Sequence, residues 1–377
     1  MQKILITGSN GFIGKNLVTI LNEKEGYDLL EFDKDNDIKD LDRGIIECDW
    51  IVHLAGSNRP ENISEYKEVN FGLTETIVNI LQSNQLNKPI IFASSTQAEL
   101  DNPYGKSKLL AEEYLIDFAK KTDNEVYIYS LTNVFGKWCR PNYNSVVATF
   151  CNNIAKELPI KINDPDANLK LIYIDDITEN IIRIINNKPQ HSPESRLYVQ
   201  PFYEIKLGEL AELISSFKES RKNLLLPDVS DEFTKKLYST YLSYLNEDNF
   251  SYELKTNRDE RGDLTELIKS QKFGQFFVST TKPGITRGNH YHHTKTEKFI
   301  VIKGKAEICF RQIQGDSIIK YEVTGDKITP IDIPPGYTHN ITNTGDTDLI
   351  TLFWANEIFN PDKPDTYFEE VRIEDKR

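Results

Sequence analysis

Residues 3–22 read KILITGSNGFIGKNLVTILN: a short apolar run, a turn punctuated by glycine, then apolar residues at helical spacing. KILIT has the length and composition of a buried strand, and FIGKNLVTIL that of an amphipathic helix. Gly8, Gly11 and Gly14 lie between and within them. The first glycine permits a tight turn, the second lets backbone approach a pyrophosphate, and the third allows close helix–strand packing. The helix N-terminus adds N–H donors and a favourable dipole, so the stretch reads as a dinucleotide-binding turn. A second strand, YDLLEFD, ends at Asp33, where an acidic side chain accepts from the adenosine ribose hydroxyls and favours NAD. Lys34 can instead attract a 2′-phosphate, which keeps NADP open.

Outward from this turn, short apolar runs alternate with helical patterns as far as residue 185. LLEFD, WIVHLA, PIIFASS and VYIYSL read as strands; TETIVNILQSNQ and SKLLAEEYLIDFAKK read as helices. Such alternation predicts a doubly wound parallel sheet covered on both faces. Beyond about residue 250 the runs LTELI, GQFFVSTT, EKFIVIKG, AEICFRQI, IIKYEV, ITPIDIPP and LITLFWANE follow one another without helices, separated by turn residues. They predict an all-β sandwich or small barrel. The helical segment 208–245 is expected to finish the first domain. The polar stretch 246–252 then divides an α/β domain, 1–248, from an all-β domain, 249–377.

A chain of 377 residues suits two such domains. Its formal charge of −13 argues against broad nucleic-acid or anionic-membrane binding, leaving any phosphorylated substrate to backbone donors and a few cations. Cys48, Cys139, Cys151 and Cys309 form no C-x-x-C pair and read as thiols of a reducing compartment. The sequence shows no signal-peptide pattern and no membrane span, so a cytoplasmic protein is expected.

The stretch 94–108, SSTQAELDNPYGKSK, places Tyr104 and Lys108 four residues apart at the start of a helix. They share a helical face, so the ammonium is expected beside the phenol, lowering its pKa from near 10. A phenol so tuned protonates an alkoxide as hydride reaches a carbonyl. Ser95, ending the strand PIIFASS, can hold that carbonyl oxygen, with Ser94 and Thr96 as alternatives. TGSNGFIG, HLAG, Asn70, ASS, YGKSK, NVFG and YIDDI together resemble the extended short-chain dehydrogenase/reductase family over residues 1–245. The resemblance implies a Rossmann-like fold and a catalytic set of Ser95, Tyr104 and Lys108, with Tyr104 as general acid. It further implies cofactor contacts from Gly8, Gly11, Phe12, Ile13, Gly14, Asp33, Lys34, Leu54, Ala55 and Gly56, besides Tyr104 and Lys108. Ser95 lies only nine residues before Tyr104, so the loop between them is shorter than the family's usual one. Asn133, Arg140 and Asn142, in or near the loop GKWCRPNYNS, are candidates for substrate phosphate or base.

Four of the six histidines lie in the last third of the chain, three of them in GITRGNHYHHTKTEKFIVIKG, residues 284–304. On a strand His290 and His292 project from one face while His293 points away. With Glu297 and His339 they form a donor set suited to Zn²⁺, Fe²⁺ or Mn²⁺. The spacing from Gly284 through His290, His292 and Glu297 to Gly304, then Pro334, Gly336, His339 and Asn343, resembles the cupin family. NRDERGDLTELI followed by RGNH is also similar to the nucleotide-sugar 3,5-epimerases, in which a histidine matching His290 is the base. A ligated imidazole has no lone pair for a base, so Lys295, Lys298 and Tyr337 are alternative bases.

Taken whole, with HLAGSNRPE, DNPYGKSK, FGKWCRPNYNSVVATFC, GNHYHHTKTEKF, IPPGYTHNI and NPDKPDTYF, the chain resembles the CapF-type bifunctional enzymes of UDP-N-acetyl-L-fucosamine synthesis. That resemblance implies a UDP-2-acetamido-2,6-dideoxy-4-keto-hexose of the β-L-arabino series as substrate. C3 epimerisation in the cupin domain would precede NADPH-dependent reduction of C4 to the L-talose sugar. It implies Zn²⁺ and a homodimer as well. A UDP-4-keto-sugar 4-reductase with a structural, dimerising cupin half is the alternative.

Overall fold

A computed structural model describes residues 1–57 and 63–372; residues 58–61 of the stretch HLAGSNRPE lie outside the described residues. The chain divides into two compact units, one comprising Met1–Ile214 with Lys236–Asn246, the other Ser215–Lys235 with Glu247–Arg377.

In the first unit the strands Gln2–Thr7, Tyr27–Phe32, Trp50–His53, Ile90–Ser95 and Val126–Leu131 form one sheet. Tyr27–Phe32 is at one edge, followed by Gln2–Thr7, Trp50–His53, Ile90–Ser95 and Val126–Leu131, all parallel. The two-residue period of a strand sends Ile4, Ile6 and Val52 into one apolar cluster and Leu5, Ile51 and Phe92 into another. Both faces are therefore covered: Phe12–Asn22 and Ile174–Asn187 supply residues to the first cluster. Ile38–Glu47, Gly72–Ser83 and Pro103–Lys121 supply the second. Such double burial is what an all-parallel sheet requires. A second, three-stranded sheet holds Asn133–Phe135, Asn168–Tyr173 and Tyr203–Lys206.

The other unit carries two antiparallel sheets, of six and five strands. Phe299, Val301, Ile331, Ile333, Leu349 and Phe353 from the larger sheet meet Ile308, Phe310, Val323 and Ile341 from the smaller in one apolar core. Residues 215–235 belong with this unit, whereas the sequence pattern assigns all of 208–245 to the first domain. Backbone bonding explains the difference: Lys269 N donates to Leu224 O (2.8 Å), and Leu226 N to Lys269 O (2.8 Å). No helix among the described residues is long and apolar enough to cross a membrane.

Candidate functional site

The glycine turn follows strand Gln2–Thr7 and opens helix Phe12–Asn22, whose first residues are Phe12 and Ile13. Gly8 has φ +73°, and a Cβ there would lie 2.8 Å from the Ala55 backbone. At Gly14 a Cβ would come within 2.1 Å of the Gly8 carbonyl oxygen, so helix and strand close only over glycine. Leu54 N donates to Thr7 O (3.1 Å), which brings Leu54, Ala55 and Gly56 to the same end of the sheet. Asp33 accepts from Asn10 N and Lys34 N, each at 2.8 Å, so its carboxylate is turned toward the glycine turn. Lys34 beside it is exposed.

Helix Pro103–Lys121 begins with a proline in its first turn and is capped by Asn102, whose side chain accepts from Gly105 N. It carries Tyr104 and Lys108 to the end of strand Ile90–Ser95. The Ser95 hydroxyl lies close enough to the Tyr104 phenol to lower its pKa, and it accepts from Gln97 N at 3.2 Å. Ser94 is turned the other way, donating to the buried Glu112, and Thr96 is exposed. The phenol differs from expectation. Burial pushes the Tyr104 pKa up to about 12, the Ser95 hydroxyl lowering it only in part. Lys108 does not offset this, because its ammonium donates to the Ala93 carbonyl (2.9 Å) and lies 4.9 Å from the Phe92 ring centre. Desolvation brings Lys108 down to about 8, while the Glu112 charge opposes that.

Two groups brace this helix, of which the sequence reading named Asn70 as a family match and missed Glu112 with Arg196. Asn70 Nδ2 donates to Ser107 Oγ (2.9 Å) and its Oδ1 accepts from Ser57 N (2.7 Å), joining the HLAG loop to the helix. Glu112 accepts from Arg196 Nε (2.8 Å) and Nη2 (2.7 Å) besides Ser94, and Arg196 also reaches Glu99 (2.6 Å). Glu112 is four residues beyond Lys108, on the same helical face, and that spacing was the available signal. Arg196 carries none, being far away in the chain. The candidate substrate residues are dispersed. Asn133 donates to Lys170 O (3.2 Å), and Asn142 engages Thr149 (3.0 Å) and Asn153 (3.4 Å). Arg140 stacks over Tyr143 at 5.0 Å, and Tyr143 with Tyr66 lies close enough to Tyr104 to raise its pKa.

In the second unit, strand Thr286–Tyr291 pairs with Tyr337–Asn343 so that His290 is opposite His339. Asn289, at φ +59°, forms a bulge just before that pair. His292 follows the strand end, and Glu297 opens strand Glu297–Lys303 of the other sheet. One donor atom from each of His290, His292, Glu297 and His339 lies within 4.8 Å of the others. Glu297 Oε2 is 3.4 Å from His292 Nε2 and 3.5 Å from His339 Nε2. Donors about 2.05 Å from a tetrahedral Zn²⁺ would be about 3.3 Å apart, so the spacing fits. Both Nε2 atoms are buried without a hydrogen-bond partner, which is what a lone pair awaiting a cation looks like. Burial and the neighbouring His339 bring His290 down to about 4, the unprotonated form a cation needs. His293 is exposed, stacking edge-on to Tyr291 and Tyr367. Among the alternative bases, Lys298 is paired with Asp332 and Tyr337 packs against the apolar core. Lys295 donates to Pro364 O (3.0 Å) and Thr366 Oγ1 (2.7 Å).

Against known proteins, residues 4–198 match the NAD dependent epimerase/dehydratase family and residues 257–367 match the polysaccharide biosynthesis C-terminal domain. A UDP-2-acetamido-2,6-beta-L-arabino-hexul-4-ose reductase of Pseudomonas aeruginosa is 45% identical over 97% of this chain and 98% of its own. The crystal structure of the capsular polysaccharide assembling protein CapF from Staphylococcus aureus superposes with a TM-score of 0.91 at 47% identity, over 98% of this chain and 100% of that one. The spore coat polysaccharide biosynthesis protein SpsL of Bacillus subtilis is 28% identical over 30% of this chain and 82% of its own.

Proposed function

This chain belongs to the NAD dependent epimerase/dehydratase family, and from that premise we propose that it is a bifunctional UDP-sugar enzyme acting on one keto-sugar twice. It is an NAD(P)-dependent UDP-keto-sugar reductase, and we assign that step to residues 1–248. We assign C3 epimerisation to the cupin-like residues 249–377. The substrate is taken to be UDP-2-acetamido-2,6-dideoxy-β-L-arabino-hexul-4-ose, the compound in the name of the P. aeruginosa relative. The product is UDP-2-acetamido-2,6-dideoxy-L-talose, destined for capsular polysaccharide.

The order follows from chemistry. The C3 proton is acidic only while C4 is a ketone, so inversion precedes reduction. His290, His292, Glu297 and His339 would hold Zn²⁺, which when bound supplies a Lewis acid for the ketone oxygen. In the reductase unit NADPH supplies the hydride. Ser95 orients the carbonyl oxygen, and Tyr104 gives its phenolic proton to the oxygen as the alkoxide forms. Lys108, its ammonium bonded to Ala93 O, is assigned to holding the cofactor. The exposed Lys34 beside Asp33 favours NADP(H), with NAD(H) as the second cofactor to test. A cytoplasmic homodimer is proposed too, in keeping with four free cysteines.

One observation carries the reading: Tyr104 and Ser95 brought close together in one unit and four convergent donor atoms in the other, on a single chain. The test uses the full-length protein with the UDP-4-keto-sugar in D₂O and no nicotinamide. Proton NMR is expected to show loss of the C3 signal, and added NADPH is then consumed. A C3 signal that persists while NADPH is oxidised would leave a plain 4-reductase with a structural β unit.

A further inference from the structure

The chain near its C-terminus is strapped across the turn that separates two of the four donor residues. His292 Nδ1 is 2.6 Å from the main-chain oxygen of Asp365. A carbonyl only accepts, so the proton is on Nδ1 and the Nε2 lone pair is left facing Glu297. The Asp365 carboxylate accepts from three successive backbone N–H groups, His293 (3.0 Å), Thr294 (2.9 Å) and Lys295 (2.7 Å), and from Thr294 Oγ1 (3.0 Å). An anion cradled by consecutive N–H groups fixes the backbone that supplies them. Asp365 has φ +38°, a conformation that a residue with a Cβ adopts only when its surroundings hold it there. Beyond it, Phe368 pairs with His290, and the buried Arg311 binds the Glu369 carboxylate (2.7 Å), Glu370 O (2.8 Å) and Val371 O (3.1 Å).

We propose that Asp365 is a positioning residue for a divalent cation held by His290, His292, Glu297 and His339. Its carbonyl sets the tautomer of His292, and its carboxylate holds the turn 293–295 that fixes His292 relative to Glu297. This rests on the cation reading of that cluster. Without the carboxylate three N–H groups lose their acceptor, and the two donors are no longer pre-set for the ion.

The experiment uses the full-length protein with Zn²⁺ alone, its affinity read by competition with a chelator. Asp365→Ala is expected to weaken Zn²⁺ binding about 10–100-fold, the usual cost of losing a group that orients a ligand. Visible bands of the Co²⁺-loaded protein are expected to shift, since donor geometry changes. Asp365→Asn keeps the size of the side chain and is expected to weaken binding as well, by at least about threefold, should the alanine variant not fold. A folded Asp365→Ala protein with Zn²⁺ affinity within about twofold of the parent and unshifted Co²⁺ bands would overturn the proposal. His339→Ala is run in parallel. If it loses Zn²⁺ while Asp365→Ala does not, only the positioning role fails; if neither loses it, the cation reading fails as well.

Discussion

Tyr104 and Lys108 are four residues apart on one helix, whereas His290 and His339 meet because antiparallel pairing sets them opposite each other. The polar groups of the two places also differ in how they are satisfied. In the reductase unit Lys108 donates to Ala93 O, Ser95 accepts from Gln97 N, and Ser94 donates to Glu112. In the β unit the Nε2 atoms of His292 and His339 are buried and have no partner. Burying a polar atom unpaired costs of order 1–3 kcal/mol, so two beside a carboxylate mark a place built for a further ligand. The first site is organised around its own hydrogen bonds and the second around a missing one.

If the two places act independently, each can be silenced without the other. The largest effect is expected from Tyr104→Phe, which removes the proton donor and should lower NADPH-dependent reduction by about 10²–10⁴-fold. C3 exchange into D₂O should continue unchanged, and loss of both activities would break the two-site reading. The mirror experiment is His339→Ala, or treatment with a chelator. Bound metal by elemental analysis should fall below one equivalent, and C3 exchange should drop by about 10–100-fold or more. NADPH binding, followed by fluorescence, should be unaffected.

The contrast also explains what the sequence made legible. Signals local in the chain are readable: the period-two runs that became parallel strands, the glycines at 8, 11 and 14, and the Tyr104–Lys108 spacing. The convergence of His290, His292, Glu297 and His339 was readable too, since spacing within 290–297 and the Pro-Gly turn before His339 constrain it. What depends on contacts between distant residues was not. Glu112 gains its meaning from Arg196, and His292 its tautomer from Asp365; neither partner is predictable from spacing. The same limit misjudged Lys108. Helical periodicity puts it on the face of Tyr104, but where its flexible ammonium settles is decided by the Ala93 carbonyl and the Phe92 ring. Residues 215–235 group with the β unit rather than the first for a related reason, the backbone bonds of Leu224 and Leu226 to Lys269 being non-local.

Glu112 sharpens the comparison with a smaller effect. Its side chain is 2% exposed and ties the helix of Tyr104 to Ser94, next to Ser95, while neutralising Arg196. Glu112→Ala leaves a mostly buried guanidinium with one partner fewer, and should cost about 2–3 kcal/mol of stability. A differential scan should show the reductase transition falling while Zn²⁺ affinity is unchanged. If the clamp sets catalysis too, kcat for reduction falls more than KM rises, and Glu112→Gln recovers only part of it.

The smallest expected effect concerns Asp33 and Lys34, where the sequence offers opposite signs within two residues. Asp33 spends both carboxylate oxygens on Asn10 N and Lys34 N, so its charge is partly answered by backbone donors. Lys34 is exposed, and an exposed cation facing a phosphate is screened by solvent and salt. Lys34→Ala should therefore lower kcat/KM for NADPH about two- to fivefold, with little change for NADH. The NADPH effect should shrink as ionic strength rises, because the Debye length falls from about 10 Å at 0.1 M to about 3 Å at 1 M. An equal loss with both cofactors would assign Lys34 to the fold of the turn and leave Asp33 as the group that selects the nicotinamide.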